Sequence, residues 1–124
     1  MLGLSLVGGS SAASKGPSFP PGWTEVSINV VIRHVPHTLV YDRGRIIAVS
    51  GSSLTLKERD GNVVPINVSA TAQITIDGQP AALSQVRVLE NATTLRVDGG
   101  AAEKVSVQIP PKLAAAIARR QGGA

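Results

Sequence analysis

The chain has no cysteine, so disulfide cross-links and thiolate chemistry are excluded from the outset. It is almost without aromatic residues: Phe19, Trp23 and Tyr41 are the only rings in 124 residues. Modules that stack nucleic-acid bases use several exposed rings, and this scarcity weighs against them. Charge is sparse as well, at 16% of residues, against 43% hydrophobic residues drawn mostly from Val, Ile, Leu and Ala. That balance is too apolar for a disordered chain and points to a packed core, a modest one at single-domain size. No apolar run approaches the roughly 20 residues that a membrane-crossing helix needs.

The formal net charge of +4 is unevenly placed. Residues 41–109 carry seven basic and seven acidic side chains and are neutral, whereas residues 110–124 add Lys112, Arg119 and Arg120 with no acid. Three cations at one end attract polyanions weakly and in a salt-dependent way. Arg119 and Arg120 are candidate partner contacts on that ground, not a recognition surface.

Residues 1–22 read as leader and linker. An apolar stretch from Leu2 to Val7 is followed by small residues, including a cleavable-looking Ser11-Ala12-Ala13 step, then by Pro17, Pro20, Pro21 and Gly22. A basic start is missing, so the segment is either a flexible Gly/Ser leader or the remnant of a secretion signal that begins upstream.

From Thr24 the pattern has a period of two. Val26, Ile28, Val30 and Ile32 alternate with Ser27, Asn29, Val31 and Arg33, and later runs repeat the rhythm at Leu54/Leu56, Val64/Ile66/Val68, Ile74/Ile76, Leu95/Val97 and Val105/Val107/Ile109. Pro36 is expected to interrupt the ladder at a corner, because it offers no N–H, and Gly44 to bend the second strand. Asp60-Gly61, Asp77-Gly78 and Asp98-Gly99-Gly100 supply turns, and turns that short predict antiparallel neighbours. Between residues 80 and 90, Leu83 and Val86 are spaced like one helical turn that would plug an open end of a sheet. Residues 110–124 read as a short helix: prolines suit its start, Arg119 and Arg120 its C-terminal dipole, and it needs Leu113 and Ile117 to dock on the barrel. The fold class is therefore all-β, a small antiparallel barrel (OB-like or similar) of six or seven strands over residues 23–109, with the helix and tail at 110–124. In that frame the charged stretch Tyr41 to Gly61 is two strands and their turns, with Arg43, Arg45, Lys57, Glu58, Arg59 and Asp60 on the solvated side.

One series of residues carries a resemblance. Gly44-x-Ile46-x-x-Val49-Ser50-x-x-x-Leu54-Thr55-Leu56, then Asp60-Gly61, Val68-Ser69 and Ile76-Asp77-Gly78-Gln79-Pro80-Ala81-Ala82-Leu83, resembles family 5666 of the domains of unknown function. The likeness spans Tyr41 to Ile109 and departs at Val88-Leu89-Glu90-Asn91, where members often carry a Pro-Gly or Val-Gly turn. The resemblance implies a small β-barrel of bacterial origin and export to the envelope or beyond. It implies no catalytic residues.

The residues themselves offer little chemistry. His34 and His37 lie three apart in an extended segment, which does not put them on one face, and only a carboxylate such as Asp42 is at hand to complete a metal site. Arg43-Gly44-Arg45 has the guanidinium pair to clamp a phosphate or carboxylate, but cross-strand pairing with Asp42, Glu58 or Asp60 is the simpler expectation. Trp23, just before the first strand, either anchors the linker or lies at a contact surface. No nucleophile has a positioned base, and no cofactor motif is present. The expectation is a non-catalytic, exported or envelope-associated module that acts by binding a protein or an envelope polymer or as a structural part, without cofactor, with Trp23, Arg43, Arg45, Arg119 and Arg120 as candidate contacts. The alternatives are an OB-like domain for single-stranded nucleic acid and, third, a hydrolase.

Overall fold

The computed structural model describes residues 19–122. Of the leader and linker expected over residues 1–22, residues 1–18 lie outside the described residues, as do the side chains of Ile117 and Arg120. Seven strands follow in order, β1 (Glu25–Ile32), β2 (Val35–Val49), β3 (Ser53–Lys57), β4 (Val63–Ile76), β5 (Gln79–Pro80), β6 (Asn91–Val97) and β7 (Ala102–Gln108), then the helix α1 (Pro111–Gly122). Five of them close on themselves in the order β2-β3-β4-β7-β6, with β6 pairing back to β2. The OB-like barrel expected from the sequence is thus present. Its pairs are antiparallel with one exception: β4 runs parallel to β7, Ile74 beside Val105 and Ile76 beside Val107. The exception is a matter of counting, because a ring with an odd number of strands cannot alternate direction all the way round. The chain meets this by carrying residues 81–90 across the barrel end before β6 begins.

That crossing contains the expected plug. A single 3-10 turn, Leu83–Gln85, places Val86 in the core and Leu83 against it, while the Gln85 side chain accepts the Ala82 N–H at 2.9 Å. The main chain is then locked to β2: the Leu89 N–H donates to the Ile46 carbonyl and the Ile46 N–H to that of Glu90, both at 2.8 Å. The interior follows from the alternation. Ile46, Leu54, Leu56, Ile66, Val105 and Val107 are fully buried, with the small Ala92 and Ala102 where strands crowd. Ser53, Thr55 and Lys57 on β3, and Val63, Pro65 and Asn67 on β4, face out.

Pro36 does not break the ladder. Arg33 (φ 52°) and His34 (φ 67°) form a two-residue turn with both residues left-handed, the geometry of a type I′ hairpin, and β1 pairs with β2 from Ile32/Val35 to Glu25/Asp42. In that register Val31/Pro36 is a non-hydrogen-bonded pair, so the proline nitrogen faces away from β1 where no donor is required. The hairpin extends past the barrel rim, which leaves β1 outside the closed ring.

The expected C-terminal helix is present: Pro111 opens it, the Ala114 N–H donates to the Pro110 carbonyl at 2.9 Å, and Leu113 is half-buried, while the docking expected of Ile117 lies outside the described residues. Among the described residues no helix is long and apolar enough to cross a membrane.

Candidate functional site

The barrel's outer wall can be assembled from register alone. Tyr41 lies beside Leu95, Leu95 beside Lys104 and Lys104 beside Gln73; one step along, Arg43, Thr93, Ser106 and Thr75 form a parallel row. These side chains alternate with buried Asp42, Thr94 and Val105 and so project outward. The entering segment folds over this wall. Phe19 sits edge-on to Trp23 (ring centroids 5.0 Å) and to Tyr41 (5.4 Å), and the Arg43 guanidinium lies 4.6 Å from the Trp23 ring centre. Arg43 also donates to the Trp23 carbonyl at 3.0 Å. Trp23 is thereby an anchor for the linker, held by cation–π attraction and a hydrogen bond together. All three rings of the chain line one open trough of about 1000 Å³, whose other walls include the apolar Leu95 and Val107, hydroxyl and amide groups from Gln73, Thr75, Thr93 and Gln108, and one charge of each sign, Lys104 and Asp77.

Thr93 and Gln108 also line a second hollow of about 550 Å³, whose other walls are Arg43, Arg45, Lys57 and Arg59 with Asn91 and the little-exposed carboxyl of Glu58. Four cations converge here because Arg45 is cross-strand to Lys57, and Arg59 follows in the turn after β3. The expected pairing of Arg43 and Arg45 with nearby acids is not what the structure shows. Asp42 alternates inward and binds Arg96, Asp60 is occupied by the Asn62 main-chain and side-chain N–H groups, and Glu58 is turned into the barrel. Among the described residues none of the four cations has a carboxylate within salt-bridge distance. Of the five candidate contacts, Trp23, Arg43 and Arg45 are brought together. Arg119 is exposed on α1 and lines neither hollow, and the Arg120 side chain lies outside the described residues.

Behind the cleft lies a buried polar group that includes Glu58, expected on the solvated side. Asp42 is fully buried and Glu58 only 5% exposed. The Arg96 guanidinium donates to Asp42 Oδ2 at 2.9 Å and reaches Glu25 Oε2 at 3.7 Å. Asp42 Oδ1, Glu58 Oε2 and the Thr94 hydroxyl have no other hydrogen-bond partner. Burial, and then the hydrogen bond and negative charge of Asp42, push the Glu58 carboxyl up to about 7. Glu25 is raised too, first by its hydrogen bond with Asp42. The arrangement gathers three carboxyl groups, Asp42, Glu58 and Glu25, around one guanidinium, and like charges that close favour the protonated form.

Its effect on stability has a definite sign. The folded state holds the Glu58 proton more tightly than the unfolded chain, so the stabilisation is complete below the ordinary glutamate range and is lost as pH rises to about 7. Urea unfolding is expected to show a loss of about 2–3 kcal/mol between roughly pH 5 and pH 8. Glu58→Gln keeps a neutral hydrogen-bonding group in place, and should flatten that slope and raise stability at the alkaline end. An unchanged slope in this variant would place the titration elsewhere.

At the hairpin, His37 Nδ1 lies 2.6 Å from Asp98 Oδ2 and the Thr38 N–H donates to Asp98 Oδ1 at 2.9 Å. Those two contacts, the main-chain one first, hold the exposed Asp98 carboxyl below its usual range. His34 stands apart in the turn. No group of three or more His, Cys, Asp or Glu side chains suited to a metal occurs among the described residues. No protein family, curated protein or solved structure matches the chain.

Proposed function

We propose that the chain is a non-catalytic binding module that works outside the cytoplasm and holds an acidic polysaccharide of the cell envelope. The observation that carries the reading is the adjacency of the aromatic trough and the cationic cleft, which share Thr93 and Gln108 and are bridged by Arg43 of the cleft lying over Trp23 of the trough. Rings flanked by hydroxyls and amides suit the apolar and polar faces of a sugar, and guanidinium forks suit its carboxylates or phosphates. The extracytoplasmic location rests on the resemblance to family 5666 and on the apolar run followed by small residues at the start of the sequence.

Single-stranded nucleic acid is the second reading, favoured by the four cations alone. Against it, Phe19, Trp23 and Tyr41 form one cluster rather than a row of separate platforms on which successive bases could stack. The barrel face formed by its second and third strands, which binds oligonucleotides in OB-folds, here shows Thr55, Lys57, Val63, Pro65 and Asn67 and no ring.

Titration with polygalacturonate, dextran and oligo-dT at two salt concentrations separates the readings. Polygalacturonate is expected to bind. Arg45→Ala, which touches neither Trp23 nor the interior, should weaken binding about tenfold, and Arg119→Ala should change it little. Tighter binding of oligo-dT, with a steep salt slope, would transfer the site to nucleic acid. Silence from all three polymers would remove the proposal.

A further inference from the structure

Among the described residues β1 pairs only with β2, and its other edge is bare. The tight turn at Arg33-His34 determines which main-chain groups that edge presents. Ile32, Val30, Ile28 and Val26 direct their N–H and C=O groups to β2, so Glu25, Ser27, Asn29 and Val31 direct theirs outward. Proteins usually protect such an edge with lysine, proline or a bulge. Here the strand from Val26 to Ile32 reads VSINVVI, without charge, proline or glycine, and Val31 at its end is 71% exposed. A strand with that composition and an open ladder is a template for another strand.

We infer that the β1 edge is an interface between two copies of this chain, paired antiparallel about a two-fold axis at Asn29. Only outward-facing residues can stand opposite one another in the new ladder, which restricts the registers to steps of two. The register centred on Asn29 sets Ser27 opposite Val31 of the second copy and brings Glu25, at the start of β1, to the turn residue Arg33 of the second copy, at both ends at once. Shifting it either way loses both charge pairs. Both groups are accessible: Arg33 is exposed with no carboxylate partner among the described residues, and Glu25 is exposed at the edge of the sheet, with the Arg96 guanidinium at 3.7 Å and the Asp42 carboxyl beside it. The contact is isologous, as a two-fold dimer requires, and opposite charges facing across an antiparallel ladder stabilise it.

The geometry has a functional corollary that rests on the polysaccharide reading, while the dimer itself does not. Residues directly opposite in an antiparallel ladder project to the same side. Tyr41 shares a face with its β1 neighbour Val26, so the troughs of the two copies open on the same side of the joined sheet. A long polymer then meets two sites at once, and avidity multiplies a modest affinity.

Sedimentation equilibrium of the full chain at about 50 µM is the test, and a dimer is the expected result. Asn29→Pro removes the outward N–H at the axis without touching the ladder to β2; the outward N–H of β2 is already replaced by proline at Pro36. This variant should be monomeric with an unchanged far-ultraviolet circular dichroism spectrum. Arg33→Glu sets like charges opposite at both ends and should raise the dimer dissociation constant at least about tenfold, and Glu25→Lys added to it should restore the dimer. A wild-type monomer at this concentration overturns the inference, as does a dimer that persists in both Asn29→Pro and Arg33→Glu. Loss of polymer binding in an intact dimer would count against the trough and leave this interface standing.

Discussion

Arg96→Met is expected to destabilise the barrel by about 3–5 kcal/mol at about pH 8 and by clearly less at about pH 5. Among the described residues Arg96 is the one cation in contact with the buried carboxyls, 2.9 Å from Asp42 Oδ2 with Asp42 wholly removed from water. Methionine preserves the length and apolar stem of the side chain, so the change isolates the guanidinium rather than the packing. What remains is a buried negative charge with Glu58 beside it and no counter-charge, and removing one partner of a buried pair costs far more than the pair itself contributes. Acid relieves the variant because protons can neutralise the carboxyls that the guanidinium no longer compensates. The pH slope should therefore be steeper than that of wild type and of the same sign, stability falling as pH rises, because the folded variant gains more from bound protons than the unfolded chain. Asp42→Asn added to Arg96→Met should recover much of the loss, and the coupling between the two positions, read from urea midpoints, measures the interaction directly. A loss under about 1 kcal/mol at the alkaline end would mean that water reaches Asp42 and that the barrel end is open there.

The strands were legible because alternation is a local property. Leu54/Leu56, Val64/Ile66/Val68 and Val105/Val107 point inward as the period of two requires, and Asp77 (φ 49°) with Gly78 (φ 84°) turns the chain where that pair predicts. The buried acid could have been found by the same rule. Asp42 is in phase with Gly44 and Ile46, and Ile46 is plainly a core residue, yet a charged side chain in a charged stretch reads as surface. Other features depend on which segments meet. The parallel β4–β7 pair follows from closing a ring of five strands, and nothing within Ile74–Ile76 or Val105–Val107 announces it. The gathering of Trp23, Tyr41 and Arg43 depends on the β1–β2 register, which depends in turn on a hairpin at Arg33-His34. Those residues are unusual occupants of a turn that favours asparagine and glycine, and Pro36 nearby suggested a corner instead. Once that hairpin is placed, Glu25 falls opposite Asp42, and Trp23 must lie near Arg43. The cationic cleft needs one more step, since Lys57 joins Arg45 only through the β2–β3 pairing.

Gly44→Ala is expected to cost about 3 kcal/mol, a large effect for the addition of one methyl group. The glycine's backbone angle is ordinary, so the cost comes from space rather than from conformation. A Cβ at this position would stand 2.7 Å from the Lys57 carbonyl oxygen, 3.0 Å from its carbon and 3.2 Å from the Leu56 Cβ. Two of those atoms are main chain in the neighbouring strand and cannot rotate away, so β2 and β3 must separate. Gly44 lies where the edge of β2 passes from β3 to β1: β3 pairs with it from Arg45 onward, and β1 up to Asp42. Opening this seam loosens the fully buried Leu56 and Ile46, and it moves Lys57 relative to Arg45 in the wall of the cleft. The same substitution should therefore weaken polymer binding under conditions where the variant is still folded. Gly51→Ala is the control, because a Cβ there meets nothing within 4 Å and the backbone angle is again ordinary. It should be neutral or slightly stabilising, by up to about 1 kcal/mol, through the unfolded chain. If both variants unfolded at the same urea concentration, the close approach of β2 to Lys57 would not be what holds the cleft together.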